Sequence, residues 1–228
     1  MAKRIGILGG ISHESTIKYY KYILTKYFVK KRDYHYPEVV IFSLDLAKLT
    51  GFEDSGDING YIEYIMTGVQ ALENAGADFI VIAANSPHSV FEVIQKKAKI
   101  PLISIVEVTA GEAQRLGMKN VLLLGIKYTM QSAFYKDVFK KHKMHVIVPS
   151  IKEQEEINRI IFDELVLGVF KEGTRQRLLD IIGGHERDGV ILGCTELSLI
   201  LNQEDTDVKL LNTLELHARA ALEYALQT

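Results

Sequence analysis

Short apolar runs of β type recur along the chain at Ile5 to Leu8, Val39 to Phe42, Phe79 to Ala83, Val121 to Leu124, His145 to Val148 and Val190 to Leu192. Between most of them lie longer stretches whose apolar residues return with helical period, such as Ile58 to Ala75 and Ile157 to Phe170. Strands apolar at successive positions need cover on both faces, and intervening helices supply it. The pattern predicts an α/β fold built on parallel sheets flanked by helices.

Two stretches echo one another. Asp78-Phe79-Ile80-Val81-Ile82-Ala83-Ala84-Asn85-Ser86 matches Asp188-Gly189-Val190-Ile191-Leu192-Gly193-Cys194-Thr195-Glu196, with an aspartate before the strand and a small polar pair after it. Ala84 and Cys194 fall at equivalent places. Likewise the strand ending at Leu8-Gly9 precedes a helix carrying Tyr19-Tyr20-Lys21, and the one ending at Leu124-Gly125 precedes Phe134-Tyr135-Lys136. Two similarities in one order point to internal duplication, against the alternative of generic α/β punctuation. A boundary is expected near Pro101 to Val106, with the last strand and helix, Val208 to Ala225, returning to the first domain. That reading gives one lobe from 1–103 plus 208–228 and a second from 104–207. No linker is rich in Gly and Ser, so the two lobes are expected to be closely apposed, with a ligand cleft between them.

Composition narrows the function classes. A hydrophobic fraction of 47% and a charged fraction of 25% suffice for a substantial core. The 27 basic and 29 acidic residues nearly balance, so no overall field draws a nucleic acid or a membrane surface. The amino-terminal apolar stretch is too short for a signal segment, and none elsewhere approaches membrane-spanning length, which predicts a cytoplasmic protein. A single cysteine, Cys194, can form neither an internal disulfide nor a thiolate zinc site, and no metal is expected.

Ligands of open parallel sheets gather beyond the carboxyl ends of the strands. Four such tips stand out: Gly9-Gly10-Ile11-Ser12, Ala84-Asn85-Ser86-Pro87-His88, Ile126-Lys127-Tyr128-Thr129 and Gly193-Cys194-Thr195-Glu196. Their small, hydroxyl and amide residues suit a carboxylate. A phosphate loop is disfavoured, because neither a GxxxxGK[ST] run nor a GxGxxG run is present. Each feature also has a bland reading: Gly9-Gly10 as a tight turn, Asn85 and Ser86 as helix caps, His88 as a surface or core histidine. Unpaired cysteines are commonly inert packing residues. Cys194, however, follows a strand and a glycine and is expected at a helix start, where the dipole lowers a thiol pKa and readies it as a general base.

These residues resemble the aspartate/glutamate racemase family over a span from Ile5 to the final helix. Gly193-Cys194-Thr195-Glu196 is similar to that family's second cysteine motif, Asn85-Ser86-Pro87-His88 to the end of its first, and Gly9-Gly10-Ile11-Ser12 to its amino-terminal signature. Glu14-Ser15-Thr16-Ile17, Tyr128-Thr129-Met130 and Ile160-Ile161-Phe162-Asp163-Glu164-Leu165 resemble the branch selective for L-aspartate and L-glutamate. The resemblance implies two pseudo-symmetric flavodoxin-like lobes, no pyridoxal phosphate or other cofactor, a small amino acid or dicarboxylate as ligand, and a homodimer. It also implies two thiols acting from opposite faces of the α-carbon. Carried over by position, Cys194 is one acid/base; Asn85, Ser86 and Thr195 hold the α-carboxylate; Gly10, Ser12, Tyr128 and Thr129 line the site. The first acid/base position is Ala84, whose methyl group moves no proton. General acid/base help is worth on the order of 10²–10⁴ in rate, so inversion is expected to be impaired. A position that is basic in some members is Val166. The alternatives are a single-cysteine malonate-type decarboxylase and a non-catalytic amino-acid-binding homologue.

Overall fold

The computed structural model describes residues 2–227. The chain divides into two compact units, Met1–Ile105 with Leu214–Thr228, and Val106–Thr213. The first unit runs β1 (Ile5–Gly9), α1 (His13–Lys31), β2 (Val39–Ser43), α2 (Leu46–Ser55), α3 (Ile58–Asn74), β3 (Phe79–Ile82), α4 (Phe91–Lys97) and β4 (Leu102–Ile103). Then α5 (Ile105–Arg115) leads into β5 (Asn120–Leu124), α6 (Lys127–Gln131), α7 (Phe134–Lys141), β6 (His145–Ile147), α8 (Ile151–Asp163), α9 (Glu172–Gly183), β7 (Gly189–Leu192) and β8 (Lys209–Asn212). The final helix, α10 (Thr213–Ala225), packs back in the first unit.

Each unit carries one four-stranded sheet, ordered β2-β1-β3-β4 in the first and β6-β5-β7-β8 in the second. All pairings are parallel. The two orders are the same pattern, as duplication predicts.

Successive side chains of a strand face opposite ways, and this sorts the first core into two layers. Ile5, Ile7, Phe79 and Val81 meet Tyr19 and Ile23 of α1 and Leu214, Ala218 and Leu222 of α10. Leu8, Ile80 and Ile82 face the other way, onto Ile65, Val69 and Leu72 of α3. In the second unit Val121 to Leu124 and Val190 to Leu192 are buried, as are Tyr135 and Phe139 of α7, Ile157 and Ile161 of α8, and Leu178 and Ile182 of α9.

The repeated aspartate has the same task in both units. Asp78 Oδ2 accepts from Arg4 N at 2.6 Å, just before β1, and Asp188 Oδ2 accepts from Lys119 N and Asn120 N at 2.7 and 2.8 Å, at the start of β5. Each carboxylate thus fastens the entry of its own strand to that of the neighbouring strand, which sets the pairing from that end.

Two expectations change. The strand at 209–212 does not return to the first unit: β8 pairs with β7 and completes the second sheet, so only α10 goes back. Its apolar run matched an edge strand of either sheet, and the ladder decided. The helix expected over 157–170 starts at Ile151, because Ser150 and Glu153 form a reciprocal capping box, and it ends at Asp163. A short 3₁₀ turn follows over Leu165–Leu167, closed by Gly168 at φ 73° and carrying Val166 exposed. Among the described residues, no helix is long and apolar enough to cross a membrane.

Candidate functional site

The tips of the four central strands place the singled-out residues as follows. After β1, Gly10 turns the chain at φ 82°, and a Cβ there would stand 2.2 Å from the Leu44 carbonyl oxygen, so the turn admits only glycine. Gly10 N donates to Thr16 Oγ1 at 3.0 Å, and that hydroxyl donates on to Ser12 O, also at 3.0 Å. The Ser12 side chain caps α1 by accepting from Ser15 N at 3.4 Å. Both Gly10 and Ser12 therefore serve first to close the turn, while remaining partly accessible.

After β3 come Ala83 and Ala84, then a 3₁₀ turn over Ser86–Val90. Ala84, Asn85 and Ser86 are buried, and the Asn85 side chain makes no capping bond to the turn. His88 is a core residue, 4% exposed, as one of its two sequence readings had it.

The second unit repeats this layout. Cys194 lies two residues past the end of β7, as Ala84 lies two past β3, and a 3₁₀ turn over Thr195–Leu199 follows. Here one prediction is overturned. Cys194 adopts extended angles (φ −133°, ψ 135°) ahead of a five-residue 3₁₀ turn, so no α-helix dipole acts on it. The half-buried thiol donates to Glu196 Oε2 at 2.9 Å, and the Thr195 hydroxyl donates to the same oxygen at 2.8 Å. Burial and the adjacent carboxylate push the thiol well above its ordinary range, only partly offset by the backbone N–H groups of Glu196 and Thr195. At rest the proton stays on sulfur and points at Glu196.

Glu196, 5% exposed, is the residue that sequence reasoning left without a role. It stood inside the quoted motif two positions after the cysteine, but that spacing alone does not reveal that the side chain turns back onto the sulfur.

The β5 tip completes this cluster. Lys127 N donates to Asn158 Oδ1 at 2.8 Å, anchoring the start of α6 on α8. Thr129 is fully buried, packs against Gly125 and Gly193 (a Cβ on Gly193 would lie 3.6 Å from Thr129 Cγ2), and its hydroxyl has no hydrogen-bond partner among the described residues. Tyr128 lies next to it, half-buried. The second unit therefore gathers Cys194, Thr195, Glu196, Tyr128 and Thr129 around the paired tips of β5 and β7; Gly10, Ser12, Ala84, Asn85 and Ser86 occupy tips of the first unit. Among the described residues, no cluster of histidine, cysteine or carboxylate side chains is fit to hold a metal ion.

An arrangement of this kind can shuttle a proton: a thiol, a carboxylate to take its proton, and hydroxyls nearby. Comparison with known proteins gives the chain's likenesses. Residues 8–221 match the family described as Asp/Glu/Hydantoin racemase. A broad specificity amino-acid racemase of Bacillus subtilis (strain 168), RacX, is 28% identical over 214 residues, 92% of each chain. A Yersinia pestis protein provisionally assigned as an Asp/Glu racemase shares 34% identity, with a TM-score of 0.90 over 99% of this chain and 100% of that one. An aspartate racemase homologue from Pyrococcus horikoshii OT3 shares 37% identity, with a TM-score of 0.85 over the same shares.

Proposed function

Because the chain belongs to the Asp/Glu/Hydantoin racemase family, we propose that it is a cofactor-independent enzyme acting at the α-carbon of a small amino acid, aspartate or glutamate in the first instance, with Cys194 as its proton carrier. The observation that carries this reading is the Cys194 Sγ–H bond to the buried Glu196 carboxylate at a strand tip. In the active direction the thiol proton passes to Glu196; the resulting thiolate then takes the α-hydrogen and becomes a thiol again, leaving a carbanion conjugated with the substrate carboxylate. Thr195 and Thr129, together with Asn85 and Ser86, are the groups proposed to hold that carboxylate as charge spreads onto it. Gly10, Ser12 and Tyr128 are proposed as lining.

Ala84 sets the outcome. It stands in its own sheet where Cys194 stands in the other, and a methyl group neither gives nor takes a proton. The carbanion is then reprotonated by the same sulfur on the same face, so hydrogen exchanges with solvent while configuration is retained. Proton NMR in deuterated water tests this. L-Aspartate or L-glutamate should lose its α-hydrogen signal in a Cys194-dependent way, with inversion slower by about 10²-fold or more. Ala84→Cys should raise inversion. Fast two-way racemisation by the unaltered chain would refute the role given to Ala84.

A second reading rests on the same resting proton. A thiol that holds its hydrogen suits an acid that quenches a carbanion made by decarboxylation, which needs no base. Release of carbon dioxide from substituted malonates, without α-hydrogen exchange on amino acids, would select it. Tight amino-acid binding with neither reaction would leave a binding protein. A homodimer is the proposed assembly.

A further inference from the structure

Four residues beyond Ala84, the ring of His88 has both nitrogens engaged. Nδ1 lies 3.0 Å from the Ala84 carbonyl oxygen, and Nε2 lies 3.1 Å from the Ile105 amide nitrogen. A carbonyl only accepts and an amide N–H only donates, so the ring is neutral with its hydrogen on Nδ1. Phe91 stacks on its face at 5.2 Å, and His217 meets it edge-on at 5.9 Å. His217 is wired the opposite way round: Tyr19 OH lies 2.8 Å from its Nδ1, and its Nε2–H donates to Ile103 O at 2.8 Å. Two neutral rings thus tie the loop after β3 to Ile103 and Ile105, beside the point where the chain leaves the first unit. The equivalent position in the second unit is Ser198, whose hydroxyl donates to Thr195 O at 2.7 Å, and there the Cys194 carbonyl accepts instead from Leu197 N at 3.2 Å.

A peptide unit is planar and trans, so its C=O and N–H point in opposite directions. Holding the Ala84 carbonyl on a buried ring turns the Asn85 N–H away from that ring. We propose that His88 is a positioning residue: it fixes the Ala84–Asn85 peptide plane and so aims the Asn85 N–H at the substrate carboxylate. The inference rests on the reading of this loop as substrate-binding.

Asparagine and glutamine separate the two halves of the ring's work. The His88→Asn amide can still donate from near the Nδ1 position to Ala84 O, whereas His88→Gln can accept from Ile105 N but surrenders the bond to the loop. Two measurements are made on each: amide hydrogen-exchange protection over residues 85–88, and the concentration dependence of α-hydrogen exchange on L-aspartate. H88N should keep both within about twofold of the parent, while H88Q should lose loop protection and show KM raised about tenfold with kcat little changed, the size of one lost hydrogen bond. Equal effects of the two substitutions on the loop, or loop protection indifferent to both, would overturn the proposal. Loop protection requires no turnover, so it still decides the matter if the parent exchanges no amino acid, a result that would sink the proposed function instead. Should both variants fail to fold, nitrogen NMR of the unaltered protein decides: hydrogen on Nδ1 of His88 is required, and hydrogen on Nε2 refutes the geometry.

Discussion

Acid should destabilise this protein well before its carboxylates protonate, because two histidines are buried in the neutral form. Burial, with the neighbouring His217, lowers the pKa of His88 to about 3, and burial lowers that of His217 to about 4. In the unfolded chain each returns to about 6.5. A depressed folded value means the unfolded state binds the proton first, so the contribution to stability is present above about pH 6.5 and is lost as the pH falls towards the folded values. At pH 5 the unfolded chain gains about 1.5 pH units of protonation at each ring, which at about 1.4 kcal/mol per unit is about 2 kcal/mol each. Both folded values lie at or beyond a unit below pH 5, so the sum of about 4 kcal/mol depends little on where they fall. Against a typical stability of about 5–15 kcal/mol, that loss is large. The carboxylates whose pKa is lowered in the fold, Asp33, Glu153, Glu156, Glu164 and Asp188, contribute their own loss mainly below this window. Urea unfolding at pH 7, 6 and 5, at constant ionic strength, should show the midpoint falling steeply, and His217→Gln should roughly halve the drop. Stability that is level between pH 7 and 5, or imidazolium signals from either ring above pH 5, would refute the reasoning.

Two further outcomes follow from the site. Gly10→Ala should cost about 2 kcal/mol or more, since the residue sits at φ 82° and the added methyl would meet the Leu44 carbonyl at 2.2 Å; an unchanged urea midpoint would show that the turn can relax. Glu196→Gln removes the charge that helps hold the Cys194 proton, so alkylation of the thiol by iodoacetamide should set in at lower pH while α-hydrogen exchange falls; a rate profile shifted to higher pH would contradict the pairing.

Much of this molecule is legible in one dimension because parallel sheets write themselves as apolar runs and helices as a 3.6-residue period. The strands at 5–9, 39–43, 79–82, 120–124, 145–147 and 189–192 were readable to within a residue or so, and so was the repeated strand tip that pairs Ala84 with Cys194. The duplicated aspartates marked the repeat, but their task of holding amides at a strand entry appeared only in the structure. Edges were less clear: β8 has an apolar pattern that suits either sheet, and only the ladder to β7 assigns it.

The chemistry of the thiol was decided in three dimensions. A cysteine after a strand and a glycine looks like a helix-start thiolate in sequence, yet the chain makes a 3₁₀ turn there, and burial of the sulfur together with Glu196 swung back onto it reverses the sign of the shift. Likewise Tyr19 and His217 are 198 positions apart and share a hydrogen bond, because α1 and α10 cover the same sheet face. Periodicity reports which way a residue faces along its own element; which charges and rings it meets depends on how distant elements are brought together, and no local pattern encodes that.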